Sequence, residues 1–423
     1  MKRIAVIGSG ISGLSAAYYL SRQHEVHVFE KDNRLGGHTH TAMVESSRGT
    51  IPVDTGFIVH NDRTYPNFCR LIAELGVHTQ PSDMSFAVTD QDGAFEYSSR
   101  GLSGFFAQKR NLVSPAHYKL LGEILRFNRE APELLNRPDT EEMTLGAFLD
   151  ARRYSPVFID RYLIPMAGAV WSMAPDAMPK FPLLTLIRFM QNHGMLGINT
   201  HPQWKTICGG SHTYLAPLTA PYAKRITSNV EIQAITRSDR GVTLSFKSPF
   251  QQSLPQRPAA SFDEVVFACH GDQILPLLAQ PTDAERHILG SFTTTRNEAC
   301  LHTDSSLLPK HPAARASWNY LLGDAGKVTV TYHMNRLQSL GTTEDYAVSL
   351  NANGAVDPGR VFRRMVYEHP LFTHAAIRAQ DRWREISGKN HTHFCGAYWF
   401  YGFHEDGVRS GLRVAEGLGV SRA

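Results

Sequence analysis

Apolar residues fall in short continuous runs near the N-terminus and in helical stripes further along, which divides the chain into regions. Ile4 to Ile7 form a fully apolar run, as expected of a strand buried on both faces of a parallel sheet. The turn Gly8-Ser9-Gly10-Ile11-Ser12-Gly13 follows, and Leu14, Ala17 and Leu20 carry a helix away from it. Val26, Val28 and Phe29 predict a second strand that closes on Glu30. Phe68, Leu71, Ile72 and Leu75 share one face of a helix that Gly76 is placed to cap. Phe86 and Val88 alternate, as do Phe95 and Tyr97, and Asp92-Gly93 between them predicts a hairpin.

From about residue 115 to 200 the period becomes helical. Leu120, Leu121, Ile124 and Phe127 share a face, Leu145, Phe148 and Leu149 a second, and Leu183, Leu184, Ile187 and Met190 a third. Strand patterns return at Val242–Phe246, Val265–Ala268, Trp318–Leu322 and Val328–Tyr332. The stretch Ser248 to Ser261, rich in Pro, Gln and Ser, reads as an exposed loop.

A chain of 423 residues exceeds one compact core and implies two or more domains. At 42% hydrophobic and 19% charged it is not a disordered chain, and no apolar run reaches the length of a membrane span. A formal charge of +4 at this length gives no reason to expect a nucleic-acid partner. Cys69, Cys208, Cys269, Cys300 and Cys395 lie far apart, without the paired spacing of a disulfide framework or a metal site. The apolar stretch after Met1-Lys2-Arg3 is broken at once by glycines and is no clean secretory core, so a reducing cytoplasm is expected, free or peripheral to a membrane.

Each glycine of the first turn has a physical task. Gly8 permits the tight turn, Gly10 lets backbone N–H groups approach a pyrophosphate, and Gly13 lets helix and strand pack closely. The phosphates then sit at the positive end of the helix that starts near Ile11. Glu30, ending the second strand, is placed to accept hydrogen bonds from ribose hydroxyls. Strand, turn, helix and acidic residue occur in the order that a dinucleotide site requires.

Arg34-Leu35-Gly36-Gly37 resembles the second glycine doublet of FAD-dependent oxidoreductases, and it selects FAD over a nicotinamide. The chain resembles the flavin-containing amine oxidase and phytoene desaturase superfamily in three blocks. The first is residues 4–76, including Val53-Asp54-Thr55-Gly56-Phe57. The second runs from Gly209-Gly210 through Ile232 to Phe262-Asp263-Glu264-Val265-Val266-Phe267-Ala268. The third holds Phe394-Cys395-Gly396, Gly402-Phe403-His404-Glu405-Asp406-Gly407 and Ser410-Gly411. Within the superfamily it is most similar to bacterial NAD/FAD-binding proteins of the amine oxidase group, through Gly36-Gly37-His38-Thr39, Phe57-Ile58-Val59-His60-Asn61 and Gly396-Ala397-Tyr398-Trp399.

That resemblance implies an α/β fold: a discontinuous Rossmann-like FAD domain from about 1–80, 203–272 and 385–423, and an α+β substrate domain from 81–202 and 273–384. It implies cofactor contacts from Gly8, Ser9, Gly10, Ser12, Gly13, Glu30, Lys31, Gly36, Gly37, His38, Thr39, Gly56, Phe57, Gly396, His404 and Glu405, with the Ile232 backbone facing adenine. Relatives often carry an acidic residue just after the glycine equivalent to Gly396, where this chain has Ala397 and Tyr398. The last helix is expected to aim its N-terminus at the flavin and stabilise negative charge there.

The chemistry implied is hydride transfer from substrate to flavin N5, with non-covalent FAD and with dioxygen or another electron acceptor. Tyr398, Trp399 and Tyr401 are the candidate rings beside the flavin, since paired rings steer an amine and attract cations. His404, with His38, His40 and His60, is a candidate for tuning flavin charge or moving a proton near neutral pH. Were the flavin covalently linked instead, His38 or a cysteine would carry the bond, and Lys205 is a candidate acting on N5 through water. Trp171 is expected in the substrate domain, at the pocket or in the core. The superfamily implies an amine substrate, whereas desaturase relatives and the apolar segment 163–198 imply an unsaturated fatty-acyl or other lipid. A non-catalytic FAD-binding protein is the second class of reading.

Overall fold

The computed structural model describes residues 1–197, 200–247, 259–323, 329–352 and 354–421. The Arg3–Ile7 strand lies at the centre of a five-stranded, wholly parallel sheet. Glu25–Phe29 and Ile226–Thr227 flank it on one side, and Glu264–Phe267 and Thr392–Phe394 on the other. Ile4, Val6, Val26, Val28, Val265 and Phe267 are buried, because helices and a smaller sheet cover both faces. The Ile11–Leu20 helix packs along His404–Gly417, and glycine makes that contact possible. A Cβ on Gly407 would stand 2.6 Å from the Ile11 side chain, and one on Gly411 2.5 Å from Ser15 Oγ.

A second sheet of seven strands runs in the order Val361–Pro370, Thr294–His302, Ala347–Leu350, Thr329–His333, Trp318–Leu322, Phe86–Asp90, Glu96–Ser98. The 86–98 hairpin joins it in parallel to Trp318–Leu322, so a segment from early in the chain completes a sheet made mostly of late ones. Helices Pro115–Leu134, Leu145–Ala151, Ile164–Trp171 and Leu183–Asn192 pack against that sheet around one apolar core. Ser114 caps the first of them by accepting from the His117 N–H, and Pro115 occupies its first turn.

The strand expected from Val328 begins at Thr329 among the described residues. Most of the stretch expected as an exposed loop, 248–258, lies outside them. Its end is corrected: Ala259–Phe262 is a strand that pairs with Gly241–Phe246 and thereby satisfies its backbone groups. The two longest strands, Thr294–His302 and Val361–Pro370, pair antiparallel at one edge of the seven-stranded sheet. Their mixed charged and apolar sequence carries no clean alternation.

Candidate functional site

One cavity of about 1090 Å³ runs from the glycine turn to the helical layer. At the turn, Gly8 has φ +105°, and a Cβ on Gly13 would lie 2.0 Å from the Gly8 carbonyl oxygen. Gly10 is different: a Cβ there would meet nothing within 4 Å, because the protein leaves that space open. The Ile11–Leu20 helix starts at Gly10 without a side-chain cap, so its first N–H groups remain available to an anion. Glu30 Oε2 accepts from the Ser9 N–H (2.8 Å) and the Ser9 hydroxyl (2.6 Å), and Oε1 accepts from the Asp32 N–H (3.0 Å). The carboxylate is thus fixed at the cavity wall, with Lys31 and Ile232 beside it.

The second glycine doublet closes over this turn. The Gly36 N–H donates to the Ser9 carbonyl (2.9 Å), and a Cβ on Gly37 would stand 3.2 Å from Gly10 Cα. Arg34 clamps the loop by donating to the Gly37 carbonyl (2.7 Å) and the Thr39 carbonyl (2.9 Å). His38 lines the cavity, and its Nε2 has no protein partner. An open cradle over Gly10, an uncapped helix start and an unpartnered imidazole nitrogen fit a bound dinucleotide. Gly8, Ser9, Gly10, Ser12, Glu30, Lys31, Gly37, His38 and Ile232 would hold it.

Gly56, Phe57 and His404 also line the cavity and are locked to the chain behind it. A Cβ on Gly56 would meet the His38 carbonyl oxygen at 2.2 Å, and the Phe57 N–H donates to the same oxygen (2.8 Å). Phe57 then stacks flat on His404, with centroids 3.6 Å apart at 7°. His404 Nε2 lies 3.1 Å from Thr39 Oγ1 and 3.0 Å from the Tyr214 hydroxyl, and those two oxygens also hydrogen-bond each other. Gly13, Gly36 and Thr39 therefore shape the site without lining it. Glu405 turns away from the cavity to accept from the Asn67 N–H (3.0 Å), the Asn67 amide and the Phe68 N–H (2.9 Å), where it caps the Pro66–Glu74 helix.

The four histidines differ from expectation in their charge. Burial pushes His404 down to about 3 and His40 and His60 down to about 4. It also holds His38 well below the usual histidine range, helped by neighbouring His369. All four are neutral at pH 7, so none moves a proton there by its own titration. Lys205 is also placed elsewhere: its ammonium pairs with Asp62 at 2.6 Å, outside the cavity wall.

The aromatic cluster splits. Tyr398 and Tyr401 line the cavity, whereas Trp399 is 1% exposed and packs edge-on against Phe292 at 4.8 Å. Phe400 faces the guanidinium groups of Arg409 (4.1 Å) and Arg413 (4.9 Å). Gly396 is needed because a Cβ there would stand 2.2 Å from the Tyr398 ring. Trp171 reaches the cavity, and its indole N–H donates to the Tyr401 carbonyl at 3.4 Å. Gly402, Phe403 and His404, at the N-terminus of the His404–Gly417 helix, line the same wall.

Sequence reasoning missed the other side of His38. Tyr367, His369 and His270 surround it with ring centroids at 5.0, 5.3 and 6.2 Å, and all three line the cavity. They come from a strand edge and a turn without any motif. Arg34 could have been found, since it belongs to the doublet whose loop it clamps. Beyond Trp171 the cavity continues as an arm between Tyr97, Phe105, Leu121, Ile124, Tyr162 and Met166.

A parallel sheet with a glycine turn at the end of its central strand, joined to a mixed, mostly antiparallel sheet across one cavity, defines a two-part dinucleotide-binding protein. Comparison with known families narrows this. The profile described as flavin containing amine oxidoreductase matches residues 11–362, and the chain belongs to that family. AofH of Mycobacterium tuberculosis, provisionally named a flavin-containing monoamine oxidase, is 26% identical over 258 residues, 57% of this chain and 53% of that one. An L-amino-acid oxidase of Siganus canaliculatus is 23% identical over 262 residues, 59% and 47% of the two chains. The chain thus matches about half the length of these curated relatives. Among solved structures, cyclohexylamine oxidase from Brevibacterium oxydans superposes with a TM-score of 0.69 at 16% identity, covering 100% of both chains. A fatty acid isomerase from P. acnes superposes with a TM-score of 0.68 at 14% identity over 97% of each. At these identities the likeness is one of fold.

Proposed function

We propose that this chain is an FAD-dependent oxidoreductase that removes a hydride from a substrate with an apolar body. The observation that carries the reading is the single cavity that joins the glycine turn to the apolar arm. The FAD-binding part is assigned to about 1–80, 203–272 and 385–423 and the substrate part to 81–202 and 273–384; the two large sheets draw their strands from these blocks. FAD, when bound, supplies the two-electron acceptor. The N-terminus of Ile11–Leu20 holds its pyrophosphate and Glu30 its ribose, and acid precipitation is expected to release it, since binding is non-covalent. Tyr398, Tyr401 and Trp171 line the cavity and are assigned to orient substrate and exclude water. The neutral histidines add no charge beside the reacting centre. Five free thiols support a reducing cytoplasm.

An amine follows from the family, and the ring wall can receive a cationic or neutral amine. A specific observation favours an unsaturated fatty-acyl or other lipid as the second reading. The carboxylates that line the cavity are Glu30, Asp32, Glu231, Asp272 and Glu368, and none comes from the arm, so an ammonium would find no ion pair there. Anaerobic mixing of the holoprotein with apolar amines and with unsaturated fatty acids distinguishes the two by which bleaches the flavin. Bleaching by neither class would leave an FAD-binding protein without catalysis. Recovery of colour in air, compared with an artificial acceptor, identifies dioxygen or another partner as the electron sink.

A further inference from the structure

We infer that the face built by residues 101–125 docks on an anionic lipid bilayer, beside the arm of the cavity. Nine large apolar side chains are exposed among the described residues, and five of them fall on this one short stretch: Leu102, Leu112, Val113, Tyr118 and Leu125. Val113 is 82% exposed and Leu102 72%, which is unusual for apolar groups concentrated on one face. The segments that carry them are held together. The Tyr118 hydroxyl donates to the Leu112 carbonyl (3.0 Å), the Phe106 and Tyr118 rings lie 5.5 Å apart, and Phe105 packs on His117 at 4.3 Å.

Charge selects the partner. From residue 100 to 122 the chain carries Arg100, Lys109, Arg110 and Lys119 and no Asp or Glu. The first carboxylate after them, Glu123, accepts from Ser155. Exposed apolar side chains on a stretch that carries cations and no carboxylate of its own complement an anionic membrane surface. Geometry ties this face to the cavity. Tyr118 and Leu125 are seven residues apart on the Pro115–Leu134 helix, on one side of it. Leu121 and Ile124, between them, line the arm. The same helix thus turns one row toward the arm and the adjoining row outward, so a docked protein holds the arm's wall against the bilayer.

The test is sedimentation of the holoprotein with phosphatidylcholine vesicles, with and without phosphatidylglycerol. Binding is read without substrate, so its failure is distinct from failure of the proposed oxidation. Wild-type protein is expected to bind the anionic vesicles and to be released by salt. Replacing two cations together (Lys109→Gln with Lys119→Gln) is expected to weaken binding about 30-fold, at about fivefold per charge. Replacing two apolar tips (Leu112→Ser with Val113→Ser) is expected to weaken it at least about tenfold. All four positions are exposed, so thermal unfolding should not move. Absence of binding, equal binding to neutral vesicles, or binding unchanged in both double variants would overturn the inference. So would self-association lost in Leu112→Ser with Val113→Ser when no vesicle binds, because the face would then join two copies of the chain.

Discussion

At the glycine-turn end of the cavity the wall is defined by side chains that are missing; at the aromatic end it is defined by side chains that are large. Gly8, Gly13 and Gly37 bring backbone against backbone, and Gly13 has no room for even one carbon. At the other end Phe189 lies tilted against Trp171 at 4.8 Å and stacks at 5.0 Å on Phe403, which comes from more than two hundred residues further along the chain. One end is built mostly by local conformation within one βαβ unit, with Ala268 and Cys269 brought against Gly8 from the neighbouring strand, the other by assembly of remote elements. Local conformation leaves a mark in the sequence, and assembly leaves almost none.

The comparison predicts that the first end tolerates no added volume. Gly13→Val should cost about 3 kcal/mol or more through overpacking and abolish FAD binding, read by thermal unfolding and by the visible flavin absorbance. Retention of both would mean that the turn can shift and that its glycines are not sterically required. At the aromatic end the expected effects divide by placement. Trp399→Ala should cost about 3–5 kcal/mol of stability while the flavin that remains bound is reduced at the wild-type rate. Tyr401→Ala should show the reverse, with about tenfold slower reduction and a small change in stability. Equal behaviour of the two variants would erase the distinction between packing ring and wall ring.

A smaller effect should appear in the pH dependence of stability. Burial, with Glu405 adding to it, raises the Asp406 carboxyl from 3.8 to about 7, although it accepts from the Phe403 N–H at 2.9 Å. Between these values the folded protein holds a proton that the unfolded chain releases. Stability from this group is therefore present below about pH 4 and is lost as pH rises through about 7. Asp406→Asn removes the titration, so its stability relative to wild type should grow across that window and level off above it. His404, pushed down to about 3, acts in the opposite direction but equally in both proteins, and it cancels in the difference. Denaturant melts at pH 4, 6 and 8 decide this, and a constant difference would show that Asp406 is not strained by burial.

The same contrast explains what could be read in advance. The parallel strands, the first helix, the hairpin at Asp92-Gly93 and the wall residues Gly10, Glu30 and His38 were legible, because turn chemistry and strand pattern are local. Sequence alone groups Trp399 with Tyr398 and Tyr401, because neighbouring aromatic residues look alike in it. The short 3₁₀ turn Ala397–Trp399 sends the rings in different directions, and only its geometry separates them. The family resemblance implies a cofactor contact at Glu405, yet this residue caps a helix more than three hundred residues earlier in the chain. Tyr367 and His369 share an edge strand of mixed charged and apolar residues, and their approach to His38 depends on sheet register, which no short window encodes. Histidine charge was illegible for a similar reason, since burial sets it.

The central claim is that one cavity holds FAD at the glycine turn and substrate in the apolar arm. Its most direct test is anaerobic reduction of a Met166→Trp variant, in which a larger ring fills the arm far from the glycine turn. The account predicts unchanged flavin content and reduction slowed about a hundredfold with whichever substrate reduces the wild type. Reduction at the wild-type rate with the arm filled would contradict it.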